Sequence, residues 1–407
     1  MRIGRTLPPS AAPLTFLNII NGFKGIIQGD KGLKVFQSQL NSYFNTKYCY
    51  LTSSGKAALT LILETLHELS PHKTEVLIPA FTCYSVPSAI IRAGLKVRLC
   101  DMEHDSLDFD SCELKSIITD RKQSSKILAV IPTHLFGFQA DILKLRTYID
   151  KRNIFIIEDA AQAMGVRFIN GKMAGTCGDI GFFSLGRGKA YSAVEGGIVI
   201  TSRKDIADIL TRQMEKISKY SIYNTFKLII YSFVLLIFTN PYMFWLPKLV
   251  PFFGLGKTVF ATDFKINSMS SYQSGLAFGW QNRLEKFKKK RDEIFRQYMK
   301  RFKTSTNHHV PLNGTENNEG RGLIRFPVIF KNSRERFMAL QKSKRLGLGI
   351  MPGYPDSINC ISHCMIMDNK IFPVAESIAD LLVTLPTHEY VTQKDIKTIL
   401  NCVLKGD

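Results

Sequence analysis

Asp159, Ser184 and Lys189 fall within one segment, residues 154–197, whose residue types could do chemistry. Asp159 follows an apolar run, residues 154–157, that reads as a strand. A carboxylate at the end of a buried strand is costly unless a cation or good hydrogen bonds receive it. Three readings fit it: a helix cap, a metal ligand, or the partner of a protonated ring nitrogen in an organic cofactor. Glu158 precedes it and, by strand alternation, points to the other face. Ser184 ends a second apolar run, and Lys189 lies five residues further on, in a Gly-rich loop. Neighbouring positive charge can lower a lysine's pKa and make it an amine nucleophile, and Arg187 stands two residues before it. The same lysine could bind phosphate, although the GxxxxGK[ST] spacing is absent, or be a surface lysine in a turn.

These residues need a scaffold. Short apolar runs at 49–52, 76–79, 96–100, 127–132, 154–157, 181–184 and 197–201 read as strands. Between them, 56–68, 86–93 and 140–151 have helical patterns. This alternation predicts a three-layer α/β domain with a mostly parallel sheet, whose ligands bind beyond the carboxyl ends of the strands. The expected division is a large domain over 1–270, carrying an apolar insert at about 220–256. A connecting helix and a smaller α+β domain follow over 271–407, with a loop at 307–322.

The net charge of +20 favours anionic partners. No helix-turn-helix, finger or RNA-binding signature accompanies it, so nucleic acid is not expected. Much of the charge sits in residues 283–303, where Leu284, Phe287, Ile294, Tyr298 and Phe302 recur at helical spacing, as on a solvated amphipathic helix. The eight cysteines include no CxxC pair, and Cys360, His363 and Cys364 make only a weak metal motif. Free thiols in a reducing compartment and no metal are expected. Pro8, Pro9 and Pro13 stand where a signal peptide needs an apolar run, which points to the cytoplasm. Residues 228–238 are apolar without a break but too short to span a bilayer. They suit core or dimer packing, or, beside Lys227 and Lys248, peripheral contact with an anionic membrane at its inner face.

EDAAQAMG, GDIGFFS, the GK of Lys189 and EGG together resemble the DegT/DnrJ-type nucleotide-sugar aminotransferases, which are fold-type-I pyridoxal-phosphate (PLP) enzymes. LTSSGKAALTLIL, EVLIPAFTCYSVPSAIIRAGLKVRLCDME, THLFGFQADI, MSSYQSGLAFGWQNRL and FPVAESIADLLVTLP extend the likeness over nearly the whole chain in the family's order. RTLPPSAAPL and LPKLVPFFGLG resemble a subgroup linked to polysaccharide assembly.

The resemblance implies roles for individual residues. Lys189 would be the Schiff-base lysine and proton shuttle, and Asp159 the partner of the pyridinium nitrogen. Gln162 would bond the ring-hydroxyl side and Ser184 the phosphate. Gly55 and its neighbours would form the phosphate cradle at a helix N-terminus, which suits anions. His134 would lie near the cofactor. The chain departs from the family pattern in three places. Lys56 replaces a small residue in the cradle. Cys83 stands where the ring-stacking aromatic is expected, leaving Tyr84 or Phe81 for that role. Ile266, one residue before Asn267, replaces the Asn that reaches the neighbouring subunit's phosphate.

The implied activity is amino transfer from an amino acid such as glutamate to a nucleotide-linked keto sugar, by a homodimer, for polysaccharide or glycoconjugate synthesis. A PLP-dependent sugar dehydratase is the nearest alternative enzyme. Its relatives replace the lysine by histidine, so Lys189 speaks against it. A degenerate member with a binding or membrane-associated role is the alternative from another class.

Overall fold

In the computed structural model, the described residues are 2–103, 105–149, 152–168, 171–249, 259–303, 308–311, 322–367 and 370–404. Seven strands form the first sheet: β1 (Tyr48–Thr52), β2 (Glu75–Pro79), β3 (Lys96–Cys100), β4 (Ile127–Val130), β5 (Phe155–Asp159), β6 (Ile180–Ser184) and β7 (Gly197–Thr201). Their order is β1-β7-β6-β5-β4-β2-β3. From β3 to β6 every pairing is parallel, while β7 pairs antiparallel with both β6 and β1. Strands β2, β4, β5 and β7 are buried along their whole length, so side chains on both faces meet protein. That is why these strands read as unbroken apolar runs rather than as alternating ones.

Register decides what reaches the ligand end. Asp159 pairs with Phe182, so β5 stops two residues before β6 reaches Ser184. The helix Gly55–Leu69 starts beside this edge. Its N-cap Ser54 is extended and accepts from the Ala57 N–H, which satisfies one of the orphan donors of the first turn.

A second, antiparallel sheet has the order β10 (Met351–Pro352), β11 (Leu382–Pro386), β9 (Arg325–Phe330), β8 (His308–His309). Most of the segment expected as a loop over 307–322 lies outside the described residues; of the described residues 308–311, His308–His309 form β8. The helix Trp280–Phe302 joins the two sheets. Its periodic apolar residues Leu284, Phe287, Ile294, Tyr298 and Phe302 are all buried, and the Tyr298 hydroxyl donates to the Pro386 carbonyl at 3.0 Å.

The N-terminal residues also reach the second sheet. Arg5 grips both oxygens of Asp395 at 2.6 and 2.7 Å, the Leu7 N–H donates to the Gly347 carbonyl at 2.9 Å, and His388 Nε2 donates to the Pro8 carbonyl at 2.7 Å. Sequence order alone would have confined these residues to the first unit.

The apolar run lies on a helix, Ile222–Phe238, capped by Ser221. Only Leu228 and Ser232 on it are buried, and Ser232 shares a 2.7 Å hydrogen bond with the Tyr272 hydroxyl. Ile222, Phe226, Ile230 and Ile237 are exposed. The run is therefore not core within this chain. The adjacent helix Phe16–Gln28 exposes Phe16, Leu17, Phe23 and Ile27. That helix lies close on Ser271–Leu276, because a Cβ at Gly25 would meet the Ser271 carbonyl at 2.4 Å. Among the described residues no helix is long and apolar enough to cross a membrane.

Candidate active site

A cavity of about 540 Å³ opens at the carboxyl ends of β5 and β6. Asp159, Gln162, Ser184, Lys189, Gly55 and Lys56, each expected from the sequence, all line it. Asp159 forms its floor. Burial pushes its carboxyl above the usual range, while the charge of nearby Lys189 and the Ala161 N–H pull the other way. The Ala161 N–H donates to one carboxylate oxygen at 3.0 Å. A buried carboxylate so placed gains from a cation above it.

Gly55 and Ser184 form the end wall. A Cβ at Gly55 would come within 2.9 Å of the Ser184 Cβ and 3.2 Å of its Oγ. Only a glycine leaves the first turn of the helix open there. Ser184 Oγ accepts from the Gly186 N–H at 3.3 Å, which keeps its own proton free to donate. The wall thus gathers a hydroxyl and helix N-terminal N–H groups, a donor set that suits a phosphate.

Lys189 follows Gly188, whose positive φ of 73° lets the loop fold back. A side chain at Gly188 would also strike Ser10 Oγ at 2.4 Å. The loop is fixed from behind by Arg291, whose guanidinium donates to the carbonyls of Ala190 at 2.9 Å, Ala11 at 3.3 Å and Lys189 at 3.4 Å. Lys56 sits 4.4 Å from the centre of the Phe264 ring, and partial burial lowers its pKa. Glu195 and Tyr220 both line the cavity wall, and burial raises the Glu195 pKa despite the charges of Arg187 and Lys56.

Two expected residues are elsewhere. His134 lines neither this cavity nor the one beside it. It is fully buried between Glu158, at 2.9 Å from Nε2, and the Ala140 N–H, which donates to Nδ1 at 3.1 Å. Its proton is therefore on Nε2. The buried Glu158 carboxylate accounts for this placement, since it needs donors and takes them from His134, from the Gly175 N–H at 2.8 Å and from the N–H groups of Cys177 and Gly178. Tyr84 also misses the cavity. It leads into the helix Ser85–Arg92, its hydroxyl lies against the Asp356 backbone, and burial pushes its pKa up to about 12. Phe81 is buried against Tyr354, with ring centres 5.6 Å apart. Cys83 lines the wall instead, and the aromatics that do so are Phe182, Tyr220 and Phe264.

Asn267 lines the same cavity, but its side-chain amide is tied to the Ser218 and Lys219 carbonyls at 3.2 and 3.5 Å. Among the described residues no three His, Cys, Asp or Glu side chains gather to hold a metal ion. Sequence reasoning missed Tyr220 and Phe264 of this wall and Arg325 and Tyr354 of the cavity beside it, all outside the motif segment. The Gly353-Tyr354 turn offered no periodic signal.

The DegT/DnrJ/EryC1/StrS aminotransferase family model matches residues 19–404. The chain belongs to this family. It is 31% identical over 173 residues to the GDP-perosamine synthase of Vibrio cholerae, a match covering 42% of this chain and 45% of that protein. The chain thus spans about half the length of the curated relatives it matches. Helicobacter pylori PseC, described as an aminotransferase in pseudaminic acid biosynthesis, superposes with a TM-score of 0.77 at 16% identity, over 98% of this chain and 99% of that one. The E. coli GDP-4-keto-6-deoxy-D-mannose-3-dehydratase with bound hydrated PLP superposes at 0.75 with 18% identity, over 99% and 100% of the two chains. At these identities the two structures establish the fold alone. The family match and the two superpositions extend through both sheets.

Proposed function

We propose that this family member is a PLP-dependent aminotransferase that passes an amino group from an amino acid, glutamate by resemblance, to a nucleotide-linked keto sugar. The observation that carries the proposal is the convergence of Asp159, Lys189 and the Gly55–Ser184 wall on one cavity.

The residues present fit PLP. The Gly55–Ser184 wall suits its phosphate, and Asp159 offers a carboxylate oxygen not engaged by Ala161 to a protonated ring nitrogen. Bound there, PLP supplies the electron sink through which an amino group is taken up and given on. Lys189 would hold it through Nζ and, once a substrate amine displaces Nζ, would move the proton between the amine-bearing substrate carbon and the cofactor above the Asp159 floor. Gln162, whose Nε2 donates to the Tyr354 hydroxyl at 2.6 Å, keeps its amide oxygen free for the ring-hydroxyl side. Lys56 and Arg187 supply positive charge at the cavity wall, which suits a diphosphate acceptor. The test is to add PLP and glutamate and to follow the cofactor's absorbance. Loss of the aldehyde-form band supports the reading, and no change with any amino acid would sink it.

The E. coli dehydratase keeps a second reading in view, namely removal of a sugar hydroxyl. Lys189 favours amino transfer, because that reaction needs an amine to hold the cofactor between turnovers. For partners, we propose a homodimer that covers the exposed apolar residues of the helices Phe16–Gln28 and Ile222–Phe238. The rival occupant is an anionic membrane.

A further inference from the structure

A second cavity, of about 670 Å³, adjoins the first, and Lys56, Gln162, Arg187 and Lys189 line both. Four of its lining residues, Lys56, Arg187, Lys189 and Arg325, are cationic, and none is Asp or Glu. Arg325 is the one that comes from the second sheet, as the first residue of β9, where it pairs with Pro386.

Arg325 is half-buried and poorly satisfied, with its Nε sealed from solvent. Nη2 reaches Ser10 Oγ at 3.4 Å, and Nε has no hydrogen-bond partner. Burial lowers its pKa, so the site gains from a nearby negative charge. Arg291 shows the contrast. It is more deeply buried, and three backbone carbonyls accept from it. Arg291 is thus a structural clamp, while Arg325, at the wall of the cavity that Lys189 also lines, keeps hydrogen-bonding capacity to spare.

We propose that Arg325 is the anion anchor of the second cavity and that it takes the carboxylate of the amino donor, turning the donor's amine toward Lys189. This rests on the aminotransferase reading above. A guanidinium presents parallel N–H groups that match the two oxygens of one planar carboxylate. The wall also includes Phe136, Ile324, Ile350 and Met351, apolar side chains that suit a short aliphatic chain more than a hydrated diphosphate. Tyr354 sits beside Arg325 and bonds Gln162, which links the anchor to the proposed cofactor site.

The test is calorimetric titration of the PLP-loaded protein with glutarate, a donor-like dicarboxylate without an amine, and separately with UDP and GDP. Arg325→Gln is expected to weaken glutarate by about tenfold or more, the usual scale for losing a charge-assisted bidentate pair, and to leave UDP and GDP unchanged. Arg325→Lys keeps the charge but not the fork, so it is expected to lose part of that affinity. It also serves as the reporter if the Gln variant does not fold, with melting curves as the check. Equal glutarate affinity in wild type and variants, or no glutarate binding to wild type, overturns the proposal. A loss confined to UDP or GDP also overturns it, since the anion would then belong to the acceptor. Glutarate binding that depends on Arg325, in a protein that takes an amine from no amino acid, would overturn the aminotransferase reading and leave the anchor standing. Turnover with glutarate binding indifferent to Arg325 would do the reverse.

Discussion

Gln162 Nε2 donates to the Tyr354 hydroxyl at 2.6 Å, and this bond joins the first sheet's ligand end to the turn after β10 of the second. Both residues line the second cavity, and burial holds the Tyr354 hydroxyl well above its ordinary pKa, so it stays protonated. Tyr354→Phe removes the partner of a buried amide N–H. The fold is expected to lose about 1–2 kcal/mol, the cost of one unsatisfied donor. Urea unfolding of the apo protein measures that loss. PLP affinity is expected to fall as well, because the Gln162 amide is no longer held in one orientation.

Lys189→Ala removes the amine proposed to hold the cofactor and to move the proton. Turnover is expected to fall by about a thousandfold or more, on the scale of general acid–base catalysis. Borohydride treatment with PLP is expected to fix a covalent adduct on the peptide containing Lys189 in wild type and none in the variant. Full activity in the variant would show that the amine has been assigned to the wrong residue.

Gly55→Ala separates cradle from scaffold. The added methyl would stand 2.9 Å from the Ser184 Cβ, where the end wall must move to admit it. Alanine itself suits a helix better than glycine by roughly 1 kcal/mol. Apo stability is therefore expected to hold, while the PLP dissociation constant rises by about tenfold. A melting curve and a fluorescence titration read the two effects separately.

His388 makes stability depend on pH. Burial is the main reason that its pKa falls from 6.5 to about 4, helped by the charge of Arg291 and opposed by the hydrogen bond to Pro8. The folded state keeps the ring neutral, whereas the unfolded chain protonates it near 6.5. The unfolded state thus binds more protons between these values. Stability is fully present above pH 6.5 and is lost as pH falls toward 4. The span corresponds to about 3 kcal/mol. Unfolding in urea at pH 7 and pH 4.5 is expected to show the drop, and His388→Asn should flatten it.

Phe226→Asp with Ile230→Asp tests the exposed face on the helix Ile222–Phe238. Sedimentation is expected to show wild-type dimers and variant monomers, since two charges would be buried without partners. A wild-type monomer that co-sediments with anionic vesicles at low salt would assign the face to membrane instead.

The sequence by itself determined the strands and the ligand end. Continuous apolar runs can be satisfied only in a sheet covered on both faces, and Asp159 and Ser184 stand where those runs stop. It also determined which faces of the helix Trp280–Phe302 are buried, because helical spacing is a local property. Tertiary structure alone decided the rest of the site. Tyr84 and Cys83 are neighbours in the chain, and only the turn into the helix Ser85–Arg92 puts Cys83 on the cavity wall and leaves Tyr84 off it. His134 is drawn to Glu158, a residue 24 positions away. Arg325 and Tyr354 reach the cavity through the second sheet, and the N-terminal segment reaches them across the whole length of the chain. These contacts depend on where distant elements pack, and spacing along a sequence holds no measure of that.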